Sequence, residues 1–186
     1  RTGTPGEIRA EAGGEKRKPG FPPGIGKTYW TQPMKIIILS VGKPKEKNFS
    51  ALADKYFRRI GPYVKLGLEF VSEAKDTDPA RKVEREGRDI LRKIRERDFV
   101  VTLDERGRET DSISFAEWFS ETVNRTEGRI IFVIGGSYGL SGEVKNRGDH
   151  SLSLSGMTMP HEMCHVFLLE QIYRACTILK GVEYHH

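Results

Sequence analysis

Two runs of consecutive aliphatic residues constrain this chain more than any other feature: Lys35-Ile36-Ile37-Ile38-Leu39-Ser40-Val41 and Arg129-Ile130-Ile131-Phe132-Val133-Ile134. Neither alternates polar with apolar, so a strand made from either must be covered on both faces. Amphipathic stretches supply the cover. The spacing predicts a helix over 47–60, with Phe49, Leu52, Ala53, Tyr56, Phe57 and Ile60 on one stripe and Gly61-Pro62 as its stop. A strand follows over 66–71. Pro79 opens a helix to about 97, with Ala80, Val83, Gly87, Ile90, Leu91 and Ile94 inward. A strand over 99–104 precedes a polar loop over 105–111. A helix over 114–123 turns Phe115, Trp118, Phe119 and Val123 inward. Ser141 caps a short helix, a short strand covers 152–154, and Pro160 opens a closing helix to about 180. Strands alternating with helices over short links predict an α/β fold, a mostly parallel sheet flanked by helices.

The first 33 residues do not share this pattern. They hold seven Gly and five Pro with no aliphatic run, too little apolar surface to offset the entropy of ordering. Residues 1–33 are therefore expected to be a flexible tail, upstream or appended to a natural start at Met34, with one domain over 34–186. The tail also carries six of the 31 Lys and Arg and three of the 26 Asp and Glu. The remaining 153 residues hold 25 basic and 23 acidic groups, so their basic excess is slight and an RNA-binding claim must rest on a site. No run of eighteen apolar residues is present to span a membrane, and no apolar segment marks a secretory signal. Cys164 and Cys176 fall in one helix, roughly 18 Å apart at 1.5 Å per residue, too far for a disulfide. A reducing cytoplasm is expected.

In open α/β sheets, ligands collect at the carboxyl ends of strands. Three such ends stand out: Leu103-Asp104, Gly135 to Leu140, and Leu154 to Pro160. Glycines there let backbone approach a ligand, or simply turn the chain. The G-x-G-x-x-G dinucleotide fingerprint is absent, and Gly26-Lys27-Thr28 follows no strand and is no phosphate loop. His161-Glu162-Met163-Cys164-His165 matches H-E-x-x-H, which on a helix would place two zinc ligands and a general base. It sits at the first turn after Pro160 and lacks a third histidine, so no metal site is expected. A zinc-dependent hydrolase remains one alternative, and a non-catalytic RNA-binding module another.

Several segments together resemble the RlmH family. They are Met34 to Gly42, Val101 to Asp104, Phe115-Ala116, Phe132 to Leu140, Leu152-Ser153-Leu154-Ser155-Gly156-Met157-Thr158-Met159-Pro160-His161, Leu169 to Ala175 and Tyr184-His185. They run in the family's order over all of 34–186. Position 165 is usually Arg in that family and is His here, which alone completes the H-E-x-x-H string; Glu183 and His186 also depart from its pattern.

The resemblance implies an S-adenosyl-L-methionine-dependent methyltransferase of SPOUT type, with a C-terminal trefoil knot, working as a homodimer without metal. It implies methylation of N3 of a pseudouridine in the intersubunit stem-loop of 23S ribosomal RNA. By the same resemblance, Leu103, Gly135, Leu154, Ser155, Gly156, Met157, Thr158 and Met159 hold the cofactor. His161, Tyr184 and His185 are the candidates for removing the N3 proton or stabilising the anion that develops. The terminal Tyr184-His185 is expected to act in the site built by the partner chain.

Overall fold

The structure is a computed structural model and describes residues 35–185. The expected tail, the start at Met34 and the departure at His186 lie outside the described residues. The chain runs β1 (Lys35–Val41), α1 (Lys47–Ile60), β2 (Lys65–Val71), α2 (Pro79–Leu91), β3 (Phe99–Arg108), α3 (Ser112–Arg125), β4 (Ile130–Ile134), α4 (Gly142–Arg147), β5 (His150–Leu152) and α5 (His161–Lys180). The strands form one sheet in the order β2-β1-β4-β3-β5, and every pairing is parallel.

The two aliphatic runs sit side by side at its centre, as their composition demands. Every residue of β4 is buried, and so is all of β1 after Lys35. Alternate side chains divide the interior in two. Ile36, Ile38, Ile130, Phe132 and Ile134 face the layer of α1, α3 and α5. Ile37, Leu39, Ile131 and Val133 pack with Ile90 of α2 and Val144 of α4. Side chains begin the helices: Glu46, Asp78, Asp111 and Ser141 each accept backbone N–H groups at an N-terminus. Gly181 closes α5 with φ 64°, a left-handed conformation that glycine adopts without a Cβ penalty.

Several boundaries differ from the sequence expectation, α3 among them, which runs two residues further at each end than 114–123. α2 ends at Leu91, not near 97. The segment between α2 and β3 is held by Asp98, whose carboxylate accepts the Arg95 N–H at 2.7 Å and the Arg129 guanidinium at 2.6 Å. β3 runs on through the expected polar loop to Arg108, whose carbonyl accepts the Ser153 N–H at 3.0 Å. β5 covers 150–152, two residues earlier than expected, because His150 stacks on Trp118 at 4.6 Å and Asp149 accepts the Val100 N–H at 2.8 Å. Leu52 and Ala80, expected to point inward, are exposed.

Phe132 is fully buried at the middle of the central strand. Phe132→Ala should therefore destabilise the protein by about 3–5 kcal/mol, read as a lower urea midpoint at unchanged slope.

Candidate functional site

Parallel pairing places all five carboxyl ends on one edge of the sheet. β4, β3 and β5 are consecutive there, so the three segments singled out by sequence become neighbours. Leu103 pairs directly with Leu152. Next to it, the Asp104 carboxylate meets Lys145 Nζ at 2.5 Å and accepts the Arg106 N–H, and both hold it below the usual carboxylate range.

After β4 the chain makes a tight turn. The Gly139 N–H donates to the Gly136 carbonyl at 3.0 Å, and Gly139 has φ 81°. A Cβ on Gly135 would lie 2.6 Å from the Gly139 carbonyl carbon. The turn itself thus requires glycine at 135, before any ligand is considered. Under it sits Glu86 of α2, buried, accepting the Ala74 N–H at 3.0 Å; burial raises its carboxyl above the ordinary range.

The segment 153–159 is tied to the extension of β3. Ser153 Oγ donates to the Glu105 carbonyl at 3.2 Å, and Thr158 Oγ1 donates to the Glu105 carboxylate at 3.2 Å. The Met157 N–H donates to Ser155 Oγ at 3.0 Å, and the Met157 side chain is 78% exposed. The N–H groups of Leu154 and Gly156 donate to nothing among the described residues. Apolar side chains and open backbone donors are what an adenine ring and its nitrogens need.

The C-terminal pair lies elsewhere on α5. The Tyr184 hydroxyl donates to Glu170 Oε1 at 3.1 Å, and its ring meets Tyr173 edge-on at 4.8 Å. Arg174 donates to Glu170 at 2.5 Å through Nη2, covers the Tyr184 ring at 4.8 Å, and places Nη1 3.2 Å from His185 Nδ1. Burial, then hydrogen bonding with Tyr56 and the Glu170 charge, push the Tyr184 phenol above its ordinary range. Glu170 and Arg174, an i,i+4 ion pair on α5, are thus the frame that holds Tyr184 and His185. His185 and Leu154 line one cavity of about 430 Å³, together with Ile113, Phe167 and Gln171.

His161 is not part of that cluster. It starts α5, nine residues before Glu170, so it lies roughly 14 Å along the axis at 1.5 Å per residue. The two ends of the H-E-x-x-H string have different surroundings. His165 is 1% exposed, packs on Phe70 at 6.2 Å, and its Nε2 makes no hydrogen bond. Burial, aided by the His161 charge, lowers its pKa to about 4. The Glu162 carboxylate instead accepts the Lys45 N–H at 2.6 Å and the Glu46 N–H at 3.4 Å. Among the described residues, no group of three His, Cys, Asp or Glu side chains is placed to hold a metal ion.

Residues 34–185 match the family model described as a predicted SPOUT methyltransferase. The chain belongs to this methyltransferase family. It is 42% identical over 156 residues to the ribosomal RNA large subunit methyltransferase H of Christiangramia forsetii, covering 82% of this chain and 99% of that protein. The protein of the same name from Trichlorobacter lovleyi is 40% identical, over 82% of this chain and 100% of its own. A probable methyltransferase from Bordetella pertussis, solved by crystallography, shares the fold: TM-score 0.51 at 14% identity, covering 77% of this chain and 95% of that one. No helix among the described residues is long and apolar enough to cross a membrane.

Two outcomes follow for this SPOUT methyltransferase. Gly135→Ala and Gly135→Val should both lower stability, the Val form by about 1–3 kcal/mol, because the first added carbon already meets the Gly139 backbone. Thermal melts check this; wild-type stability in both variants would return Gly135 to a ligand-space role alone. For His165, the folded pKa of about 4 lies below the unfolded 6.5, so the unfolded state binds the extra proton. Its contribution is complete above pH 6.5 and is lost as pH falls towards 4, about 3 kcal/mol in all. His165→Leu should flatten the urea-measured stability profile across that window.

Proposed function

We propose that this protein transfers a methyl group from S-adenosyl-L-methionine to N3 of a pseudouridine in the intersubunit stem-loop of 23S ribosomal RNA, as a homodimer in the cytoplasm. One observation carries the reading. The loops after β3, β4 and β5 meet at one edge of a parallel sheet, in a chain about 40% identical to proteins named ribosomal RNA large subunit methyltransferase H. Leu103, Gly135 and residues 154–159 hold the cofactor, with open backbone donors at Leu154 and Gly156 for the adenine. The C-terminal knot implied by the resemblance belongs to the same proposal.

The bound cofactor supplies an electrophilic methyl with a neutral leaving group. The protein's own task is to orient the base and to help its N3 proton leave. The one hydroxyl proton of Tyr184 is given to Glu170 in this structure; with a base bound, the hydroxyl would turn from Glu170 to a carbonyl oxygen of the base as negative charge develops there. His185 and His161 are the candidate proton acceptors. Glu170 and Arg174 fix the directions of Tyr184 and His185.

His185 lines a cavity with Leu154 of its own chain, while His161 stands apart from the tail; a second copy of the chain would bring His161 and a tail together. His161 stands at the start of α5 and the tail packs three turns further on. Two α5 helices crossing antiparallel about a two-fold axis would set one chain's tail beside the other's 154–161 segment. Met163 and Phe167 of α5 are 41% and 38% exposed, apolar surface suited to that contact.

Methyl transfer from labelled S-adenosyl-L-methionine to ribosomes lacking the modification tests the reaction; binding of the cofactor without transfer would favour a non-catalytic role. Truncation after Val182 should spare cofactor binding and lower transfer at least a hundredfold, a scale typical of losing a proton-transfer group. Mixing truncated chains with chains carrying a dead cofactor loop should recover activity, since one site per mixed dimer is then whole. Inactive mixed dimers, confirmed by mass, would place the tail in its own chain's site.

A further inference from the structure

The H-E-x-x-H string leaves one carboxylate without a role in the reaction. Glu162 is the second residue of α5, three positions after Met159 of the cofactor segment. Its carboxylate does not face a metal or a base. It accepts two backbone N–H groups, from Lys45 and Glu46, across 117 and 116 residues of sequence. These hydrogen bonds hold the Glu162 carboxyl below its usual range. The β1–α1 loop is thereby fastened to the start of α5, at the edge of the sheet where the strands end.

That loop reads Lys43-Pro44-Lys45-Glu46-Lys47. All three lysines are exposed, Lys45 to 84% of its side chain. The acids around them face other partners. Glu46 accepts the Asn48 and Phe49 N–H groups at 3.0 and 3.2 Å, capping α1. Glu162 is held by the loop backbone. Glu73 bonds Lys82 at 2.7 Å and reaches Lys45 only at 4.0 Å. Lys82 above all holds the Glu73 carboxyl low, with smaller contributions from Lys45 and His161. Lys43 Nζ lies over the Phe70 ring at 5.5 Å and Lys45 Nζ keeps only the long contact to Glu73, so all three side chains stay exposed near His161, the residue before Glu162. They stand on an outward rim, suited to a chain of phosphates rather than to a small enclosed anion.

We propose that Lys43, Lys45 and Lys47 take phosphates of the RNA substrate, and that Glu162 is a positioning residue which holds their loop beside His161. This deepens the reading of the substrate as ribosomal RNA and rests on it. The geometry ties RNA docking and cofactor loop together: the 154–160 segment leads directly into α5, and the first turn of α5 carries the anchor for the lysines.

The test uses the full chain and ribosomes lacking the modification. Lys45→Ala should raise KM for ribosomes roughly threefold to tenfold at about 0.1 M salt, and reduce the slope of log affinity against log salt by about 1. Glu162→Ala should raise KM by a similar factor while kcat and S-adenosyl-L-methionine affinity stay within about twofold, because phosphate contacts position the RNA and take no part in the chemistry. Glu162→Gln keeps a carbonyl oxygen to accept the loop N–H groups and should restore KM, which separates positioning from a need for negative charge. Thermal melts of each variant separate both from misfolding. An unchanged KM in Glu162→Ala overturns the positioning role. An unchanged salt slope in Lys45→Ala, or a loss confined to cofactor affinity, overturns the phosphate role. Failure of the wild-type protein to methylate ribosomes at all would sink the substrate reading, and this inference with it.

Discussion

Parallel pairing of β4 with its two neighbours is the constraint on which the rest depends. A parallel strand bonded on both edges must be buried on both faces. The sequence Ile130-Ile131-Phe132-Val133-Ile134 meets that demand without a polar side chain. Its alternate residues reach into two separate apolar layers, one under α1, α3 and α5, the other under α2 and α4. Parallel pairing also sends every strand's carboxyl end to one edge. The cofactor candidates occupy that edge because the sheet has one direction, not because any motif pulls them together.

α5 is the element that joins this edge to the rest of the chemistry. Its first turn begins with His161 and anchors the β1–α1 loop through Glu162. Its third and fourth turns hold Tyr184 and His185 through Glu170, Tyr173 and Arg174. Its inner face, from Leu168 and Leu169 to Leu179, is core. One helix therefore serves packing on one side and positions two sets of polar groups, roughly 14 Å apart, on the other.

Much of the fold was legible in sequence, because helix and strand periods are local. The bounds of β1 and α1 match the sequence reading residue for residue. Misreadings fall where a long-range polar contact overrides local pattern. α2 stops at Leu91, and the segment after it is held by Asp98, which bonds Arg129, 31 residues away. Ser153 keeps β3 extended through residues that look like a loop. The site was partly legible for the same reason. Strand-end glycines could be found, but sequence could not show that Gly135 answers to Gly139. The H-E-x-x-H spacing was visible, yet nothing in it tells that Glu162 bonds a backbone more than a hundred residues upstream.

The sequence by itself determined which segments are strands and helices, which strands need cover on both faces, and which loops follow strands. Those are consequences of side-chain periodicity and of turn chemistry, both set within a few residues. Only the tertiary structure decided that the strand order is β2-β1-β4-β3-β5, which loops become neighbours, and that Tyr184, beyond the end of α5, packs back on Glu170 and away from His161 at the helix start. It also decided that His165 is a buried neutral imidazole while Glu162, three residues earlier, is a carboxylate bonded to the β1–α1 loop. The physical reason is shared. Strand order, burial and hydrogen-bond partners are fixed by contacts between distant segments, and their free energy appears only when the whole sheet has closed around β4.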